Sequence, residues 1–475
     1  MRARTLIFLC YLILTGFLCF HHEPWRDEVD NWLMSRDANL ISIVKTSPNA
    51  GTPALWYFLL KPLALNGFPF YSQKILNWII TSAATALIIF QSPFSIPALV
   101  AICSSWFLSF EYSVVARNYG IGLLGLFLLL GSWSLPKNSL KRRIQYFTAW
   151  PLLCFSSVHF LSWVPGLLFL EFTNEKSNSK TKKQLLCLIW PAFLFTLSVI
   201  LLWPTGNGQM SDSFVSSVNP HLGFKAMSQG VFPFFDYKGI AVVIAPVLIL
   251  GFIKKTNPHK VQRWLVYFML AFVNGIFIFK FFQPCLRYSG FNWLILVVSA
   301  WVGMQSVSHE STLVKRELSS KVTYFFLALF LINAPDIFKH WLKEIRFPFT
   351  DAYKTARFLE ASGLVNNPIS CFDEPNCSAI LGYFNQKKQF WYPGTKRWGT
   401  HMWWDKNYAD GLKLSFEDAF VSAYNFFSTQ GSHTDFVYIS RKPIQSPEKY
   451  GFKLVFSDKI EGWRQTDEAF NVYHR

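Results

Sequence analysis

The sequence predicts a mainly α-helical, polytopic membrane protein that ends in a small α/β domain outside the cytoplasm. Apolar residues make up 51% of the 475 residues and charged residues only 15%, whereas a soluble domain carries about a quarter charged residues. The apolar residues are gathered into long runs, which soluble cores do not use. Short basic clusters separate these runs, and the runs stop near residue 337.

The N-terminal segments set the expected orientation. The first apolar run, Thr5–Phe20, follows two arginines and ends without a small-x-small cleavage site. It therefore favours an uncleaved anchor with a cytoplasmic N-terminus over the rival interpretation of a cleaved signal peptide. Asp27–Lys45 has the pattern of an amphipathic helix in the outer interface. Pro53–Leu65 is apolar but short, which is typical of a re-entrant or interfacial helix.

Ten further runs are predicted to be membrane spans, which makes about eleven in total. They are Tyr71–Phe90, Phe94–Phe110, Tyr119–Leu135, Ile144–Ser157, Phe160–Phe172, Leu185–Trp203, Gly239–Ile253, Trp264–Phe282, Gly290–Gln305 and Val322–Ala334. The count depends on a division at His159, because one long helix there would invert the orientation of everything downstream.

A net charge of +17 raises the question of nucleic-acid binding. The basic residues form no single stripe, and alternation of eleven spans places all their clusters on the cytoplasmic side. The clusters are Lys137, Lys141, Arg142 and Arg143; Lys176, Lys180, Lys182 and Lys183; Lys254, Lys255, Lys260 and Arg263; and Lys315, Arg316 and Lys321. This is the positive-inside pattern of a membrane protein. We expect a location in the bacterial inner membrane and no nucleic-acid partner.

Residues 338–475 differ in character from the membrane part, residues 1–337. The odd number of spans places this α/β domain outside the cytoplasm. Its predicted helices are Asp351–Ala361 and Phe416–Thr429, and its predicted strands are Pro368–Phe372, Gln389–Tyr392, Asp435–Ser440, Phe452–Ser457 and Phe470–Tyr473. Cys371 and Cys377 both lie in this domain, where a disulfide is chemically permitted.

The loop after the first span carries four carboxylates in eight residues. It reads His21-His22-Glu23-Pro24-Trp25-Arg26-Asp27-Glu28-Val29-Asp30. A structural interpretation makes Asp27 the cap of the interfacial helix, with its acidic neighbours at the positive helix end. A functional interpretation makes one carboxylate a general base. A divalent cation bound by His21, His22, Glu23 and Asp27 is a third alternative, although their spacing matches no known zinc signature.

Several loop motifs resemble those of the GT-C glycosyltransferases, most closely the protein mannosyltransferases and the lipid A aminoarabinose transferases. The motifs are the pair Asp27-Glu28, Thr52-Pro53-Ala54-Leu55-Trp56-Tyr57, Glu111-Tyr112-Ser113-Val114-Val115-Ala116-Arg117-Asn118-Tyr119 and Gln283-Pro284-Cys285-Leu286-Arg287-Tyr288-Ser289-Gly290-Phe291. Ala54 departs from the second proline that is common there. The likeness covers the whole architecture, although each motif is short. It implies a polyprenyl-phosphate sugar donor and an extracytoplasmic glycan, lipid or protein acceptor.

The implied reaction explains the residue types in these loops. An acceptor hydroxyl needs a base, and a leaving phosphate needs fixed cations such as the forked guanidinium. The resulting catalytic candidates are Asp27, Glu28 and Glu111, with Asp27 as the base; the substrate-binding candidates are Lys61, Arg117, Tyr119, His159 and Arg287. The alternative for the cations is that they extend to lipid headgroups at span ends.

Two further considerations bear on this hypothesis. On one continuous helix Glu111 and Arg117 would point about 240° apart, so the chain must leave the helix between them if both face one site. The alternative function is a transporter or lipid-carrier flippase, which should show inverted repeats and ionisable residues at the bilayer midplane. This chain keeps its charges at span ends. A non-catalytic scaffold would be excluded by transfer of a labelled sugar.

Overall fold

The computed structural model is mainly helical, with one six-stranded sheet near the C-terminus. It describes residues 1–49, 51–136, 138–174, 182–203, 218–235, 239–279, 284–308, 310–384, 387–411, 413–429, 435–457, 463–464 and 468–475. Among these residues, four helices are long and apolar enough to cross a membrane: Arg2–His21, Ser72–Gln91, Lys260–Ile278 and Thr312–Arg346. Shorter apolar helices accompany them, as expected for an integral membrane protein.

Sixteen helices of the described residues precede the α/β part. Helices α1 to α8 are Arg2–His21, Arg26–Asp37, Leu40–Thr46, Leu55–Leu65, Ser72–Gln91, Ile96–Cys103, Tyr119–Ser132 and Leu140–Cys154. Helices α9 to α16 are Val158–Leu161, Val164–Asn174, Lys182–Leu202, Pro220–Val231, Ile240–Thr256, Lys260–Ile278, Leu286–Ser306 and Thr312–Arg346. Each of the eleven predicted spans contains a helix, and the number that cross the bilayer stays a prediction.

Some boundaries differ from the prediction. The predicted span Phe94–Phe110 is broken after α6, where the Ser105 hydroxyl donates to the carbonyl of Ile102 (2.7 Å), and a π-helical turn follows at Phe107–Glu111. The predicted segment Asp27–Lys45 is two helices, because the Asn39 side chain caps the start of α3. The predicted division near His159 is present, since α8 ends at Cys154 and α10 begins at Val164. Residues 175–181, predicted to be cytoplasmic, and residues 204–217, predicted to be outside the cytoplasm, lie outside the described ranges.

The C-terminal part packs helices against a mixed sheet. Helices α17 to α20 are Ala352–Ala361, Glu374–Leu381, Lys406–Gly411 and Phe416–Thr429, and strands β1 to β6 are Ile369–Phe372, Phe390–Tyr392, Arg397–Gly399, Val437–Ser440, Lys453–Ser457 and Asn471–His474. The strand order is β3-β2-β1-β4-β6-β5, with β1 parallel to both β2 and β4 and the other pairs antiparallel. The sequence prediction omitted β3, α12, α18 and α19. The other strands were predicted to within about two residues.

Helix α2 is held between the membrane helices and the sheet domain. It packs against α4 on one side and α18 on the other. The approach to α18 is so close that a Cβ at Gly382 would lie 2.3 Å from Cγ1 of Val29, so glycine is required there. A disulfide between Cys371 of β1 and Cys377 of α18, with Cα atoms 5.9 Å apart, ties α18 to the sheet. The fold therefore fixes the start of α2 from both sides.

Candidate active site

Asp27 lies in the first turn of α2, and one of its carboxylate oxygens forms ion pairs with two arginines. Its Oδ2 is 2.8 Å from Nη1 of Arg287 and 3.1 Å from Nη1 of Arg117. Arg117 Nη1 also donates to the Asp27 carbonyl at 2.9 Å. Nε of Arg26 lies 3.8 Å from the other carboxylate oxygen. The first turn of α2, the loop before α7 and the start of α15 therefore converge on one carboxylate.

The sequence interpretation of Asp27 as a helix cap is wrong, because α2 begins one residue earlier. Trp25 occupies the cap position, and its backbone N–H donates to Oε2 of Glu28 at 3.3 Å, which is half of a capping box. Asp27 thus lies inside the helix, and its carboxylate does not serve as the helix cap. Its side chain is 26% exposed, so it can be reached from outside.

The electrostatics of this cluster favour an ionised Asp27. Burial alone would raise the pKa of its carboxyl, but Arg117, Arg287 and Arg26 together hold the pKa below its ordinary value. Arg287 is itself positioned by an aromatic ring, since its guanidinium carbon lies 4.4 Å from the ring centre of Trp25. Arg26 also lies 3.9 Å from Glu468, whereas Arg117 and Arg287 share the single carboxylate of Asp27. This pair leaves a local positive excess, which suits an anionic ligand.

Glu28 serves a different purpose from its neighbour in the structure. It is fully buried, its Oε1 accepts from the backbone N–H of Ala116 (2.6 Å), and its Oε2 is 2.8 Å from Nε2 of His22. The other ring nitrogen of His22 is 2.8 Å from Oε1 of Glu344, near the end of α16. The Oε1 atom of Glu28 is thus committed to the loop before α7, and its Oε2 atom to His22, which links α2 to the ends of α1 and α16. This arrangement favours a structural role.

Glu111 is also buried and does not touch Asp27. Its Oε2 accepts from the indole N–H of Trp106 (3.0 Å) and from Nη2 of Arg464 (2.7 Å). The chain leaves the helix between Glu111 and Tyr119, as Glu111 and Arg117 would need in order to face one site. The two ends of that segment nevertheless face different partners, because Arg117 meets Asp27 and Glu111 meets Arg464.

The remaining predicted substrate-binding residues fall into two groups. Nζ of Lys61 donates to the carbonyls of Ser35 (3.0 Å) and Ala38 (2.6 Å), so it lies at the opposite end of α2 from Asp27. Tyr119 and His159 lie in an aromatic cluster beside Arg287. The His159 ring stacks on Tyr288 with 4.8 Å between centroids, and Tyr119 contacts Tyr288 edge to face at 6.1 Å. These two residues can therefore shape the wall of the arginine site.

The four residues considered for a divalent cation are not brought together. Nδ1 of His21 lies 2.9 Å from the Phe17 carbonyl, while His22 lies between two glutamates and Asp27 faces the arginines. Within the described ranges, no group of three or more histidine, cysteine or carboxylate side chains is placed to bind a metal ion.

Two residues of the site were not among the predicted candidates. Trp25 supports Arg287, and its position next to the acidic pair was the only signal in the sequence. Asp30 is one helical turn after Asp27, is buried, and accepts from the backbone N–H of Met402 at 2.8 Å. Burial raises the pKa of its carboxyl to about 7. The i, i+3 spacing of Asp27 and Asp30 places both on one side of α2.

Comparison with known proteins gives one informative likeness. No protein-family model and no curated protein sequence matches the chain. The fold is similar to that of ArnT from Cupriavidus metallidurans, which was crystallised with undecaprenyl phosphate bound. The TM-score is 0.55 at 10% sequence identity, over 99% of this chain and 97% of that chain. The fold of the chain is therefore similar to that of ArnT over nearly its whole length, in agreement with the resemblance of the loop motifs to the lipid A aminoarabinose transferases.

Proposed function

We propose that the chain is a membrane glycosyltransferase that takes a sugar from a polyprenyl-phosphate carrier and passes it to an acceptor outside the cytoplasm. The observation that carries this proposal is the convergence of Arg117 and Arg287 on one oxygen of Asp27. The similar fold of ArnT, solved with a polyprenyl phosphate, supports it. The two arginines would bind the carrier phosphate, and Asp27 would act as the base.

Each arginine has the geometry that a phosphate requires. Both guanidinium groups are fixed, Arg117 by the carbonyl of Asp27 and Arg287 by the Trp25 ring. Nε of Arg117 is buried and has no hydrogen-bond partner among the described residues, so one donor is left for a ligand. A phosphate with its several oxygens can accept from both forks at once, which gives strong, charge-assisted hydrogen bonds.

Donor binding would also activate Asp27. While two arginines neutralise it, the carboxylate has a lowered pKa and is a weak proton acceptor. A phosphate that draws Arg117 and Arg287 toward itself removes part of this stabilisation, so the proton affinity of Asp27 rises. The base therefore becomes effective only when the donor is in place.

The reaction that follows is a single displacement. The acceptor oxygen forms a bond to the anomeric carbon while the bond from that carbon to the phosphate oxygen breaks. The acceptor proton passes to Asp27, and the electron pair leaves with the phosphate, whose charge the arginines stabilise. Because the acceptor enters opposite the leaving phosphate, the anomeric configuration is inverted.

The test is transfer by reconstituted protein from a panel of labelled polyprenyl-phosphate sugars into extracted envelope components. Asp27→Asn keeps the size of the side chain and removes the proton acceptor, so transfer should fall on the order of 10²–10⁴-fold. Asp37→Asn is the matched control, because Asp37 ends the same helix and pairs with Arg36 and Lys387 far from the site. The control variant should retain transfer.

Binding of polyprenyl phosphate alone separates a lost base from a lost fold. Asp27→Asn should bind it at least as tightly as the wild type, because the variant no longer competes for the two arginines. Near-normal transfer by a well-folded Asp27→Asn protein would falsify the assignment of the base. Failure of every donor to transfer with the wild type would remove the proposed activity itself.

A further inference from the structure

A second cavity lies on the membrane-facing side of the molecule, away from the arginine site. It has a volume of about 780 Å³ and lies between α1 and α5 beneath the start of α17. Its lower wall is apolar, with Gly16, Phe20, Ile75 and Trp78. Phe20 and Ile75 are 83% and 57% exposed, so this wall continues the apolar surface of the spans. We call this cavity the α1–α5 groove.

The upper wall of the α1–α5 groove is polar and charged. Glu23, Lys74, Tyr71 and Tyr353 line it, where the membrane helices meet the C-terminal domain. Oε2 of Glu23 is buried and has no hydrogen-bond partner among the described residues. Burial raises the pKa of the Glu23 carboxyl to about 7. A buried carboxylate oxygen without a donor is costly, which points to a donor supplied from outside the chain.

Cations stand beside this carboxylate. Nζ of Lys74 donates to the carbonyls of Cys19 (2.8 Å) and His22 (2.6 Å), which uses two of the three donors of an ammonium group. Lys354 of α17, whose side chain is 37% exposed, interacts electrostatically with Glu23, as does Lys74. The groove thus presents an apolar floor below a polar end that carries one cation, Lys74, and one carboxylate, Glu23, the two opposite charges with which a zwitterionic headgroup can pair.

We propose that the α1–α5 groove binds a membrane phospholipid whose headgroup carries an ammonium group, of the phosphatidylethanolamine type. The ammonium donates to Glu23, the phosphodiester lies toward Lys74, and the upper acyl chains rest on Ile75 and Trp78. The volume is that of a site for a moderately large organic ligand. A phosphate monoester such as a polyprenyl phosphate would instead bring an anionic headgroup against Glu23, so the carrier lipid is the poorer fit.

The experiment labels the groove directly and needs no transfer reaction, so its outcome is independent of the proposed function. The wild type is reconstituted in phosphatidylglycerol vesicles that contain a small fraction of photoactivatable phosphatidylethanolamine or photoactivatable phosphatidylglycerol. Crosslinks to peptides of α1 and α5 are then measured by mass spectrometry. We expect phosphatidylethanolamine to label these peptides more strongly, because only its headgroup carries an ammonium that can pair with the Glu23 carboxylate, whereas the hydroxyls of phosphatidylglycerol are neutral donors.

Two variants and one control give the test its specificity. Glu23→Gln should lower labelling by phosphatidylethanolamine on the order of tenfold and leave labelling by phosphatidylglycerol unchanged. Ile75→Trp, which fills the groove, should lower labelling by both lipids. Glu317→Gln, an exposed glutamate on α16, is the matched control and should change neither. Equal labelling by both lipids in the wild type, unaltered labelling in Glu23→Gln, or a preference for photoactivatable polyprenyl phosphate would overturn the proposal.

Discussion

The carboxylate of Asp27 joins parts of the chain that lie 90 and 260 residues apart in sequence, through Arg117 and Arg287. Two neighbouring carboxylates of the same loop have opposite surroundings. Asp27 faces arginines and is reachable, whereas Glu28 is buried against His22 and a backbone amide. Sequence adjacency therefore says little about shared function here, and substitutions at the two positions should have different consequences.

Substitutions of Arg117 should reveal whether phosphate binding uses the paired N–H donors of its guanidinium group or only its positive charge. Arg117→Ala should weaken binding of polyprenyl phosphate by roughly 10- to 100-fold, the worth of hydrogen bonds to a charged group. Arg117→Lys should fall between Ala and the wild type, because it keeps the charge and loses the planar pair of donors. Binding is measured in detergent, with Arg142→Lys as the control at the distant pair with Glu171. Equal affinities for Ala and Lys would instead favour a contact with lipid headgroups.

His22 should make the folded state sensitive to alkaline pH. Burial lowers the pKa of its ring, but Glu28 and Glu344 outweigh burial and raise the pKa to about 9. A group with a raised pKa in the folded state stabilises fully below its unfolded pKa near 6.5 and loses this contribution as the pH rises through the folded value. The midpoint temperature of thermal unfolding should therefore decrease as the pH is raised from 6.5 to 9. His22→Gln, compared over the same range, should have a lower but flatter profile; an equally steep profile would contradict the assignment.

The residue types of the arginine site could be predicted from the sequence, and their partners could not. Asp27, Arg117 and Arg287 were recognisable because each lies in a short loop motif at the end of a predicted span. Glu28 and Glu111 were also catalytic candidates, since both are acidic and lie in the same outer loops. Their contacts with the Ala116 amide and with Arg464 span 88 and 353 residues, and a single sequence carries no signal of such long-range pairs.

At the scale of elements, helix α2 is the platform of the site. Its first turn carries Asp27, its middle packs against Gly382, and its end is bonded to Lys61. The length of the amphipathic pattern indicated an interfacial helix, but the cap at Asn39 that divides it was not recognised. Strand β3 was missed because three residues, Arg397–Gly399, are too few for an alternating pattern to be evident.

Lys61 should act on the stability of α2 rather than on the donor. It bonds the carbonyls of Ser35 and Ala38, and a cation at a helix C-terminus also favours the helix dipole. Lys61→Met should lower the free energy of unfolding by about 1–2 kcal/mol and leave the affinity for polyprenyl phosphate nearly unchanged. Chemical unfolding and donor binding are measured on the same preparation. A selective loss of donor affinity would restore the substrate-binding role expected from the sequence.

At the scale of the whole molecule, the helical architecture was predictable because lipid solvation forces long apolar runs to form helices. The sidedness of those helices rests on the basic clusters alone. The covering of α2 by the C-terminal domain was not predictable, since it depends on a six-stranded sheet whose central strands pair across about 68 residues of sequence. The disulfide that the sequence only permitted is present at Cys371 and Cys377.

Topology can be tested in intact cells with a membrane-impermeant thiol reagent. In a background with Cys10→Ser and Cys285→Ser, Gln445→Cys in the C-terminal domain should be labelled. Thr312→Cys, at the start of α16, should be labelled only after the membrane is permeabilised, because the neighbouring basic cluster is predicted to be cytoplasmic. Both sites are exposed in the structure. Labelling in the reverse order would mean that the number of crossings is even.

Helix α16 runs without interruption from Thr312 to Arg346, and its last turns hold Glu344 against His22. Thirty-five residues extend about 52 Å, well beyond the bilayer's hydrocarbon core of about 30 Å. The helix is therefore a rigid connection that extends from the bilayer to the C-terminal domain. Pro335 interrupts the backbone hydrogen bonding of this helix, so the helix bends most easily there. A movement that opens the site to an acceptor would therefore bend the helix at Pro335, and the C-terminal domain would tilt as a rigid unit.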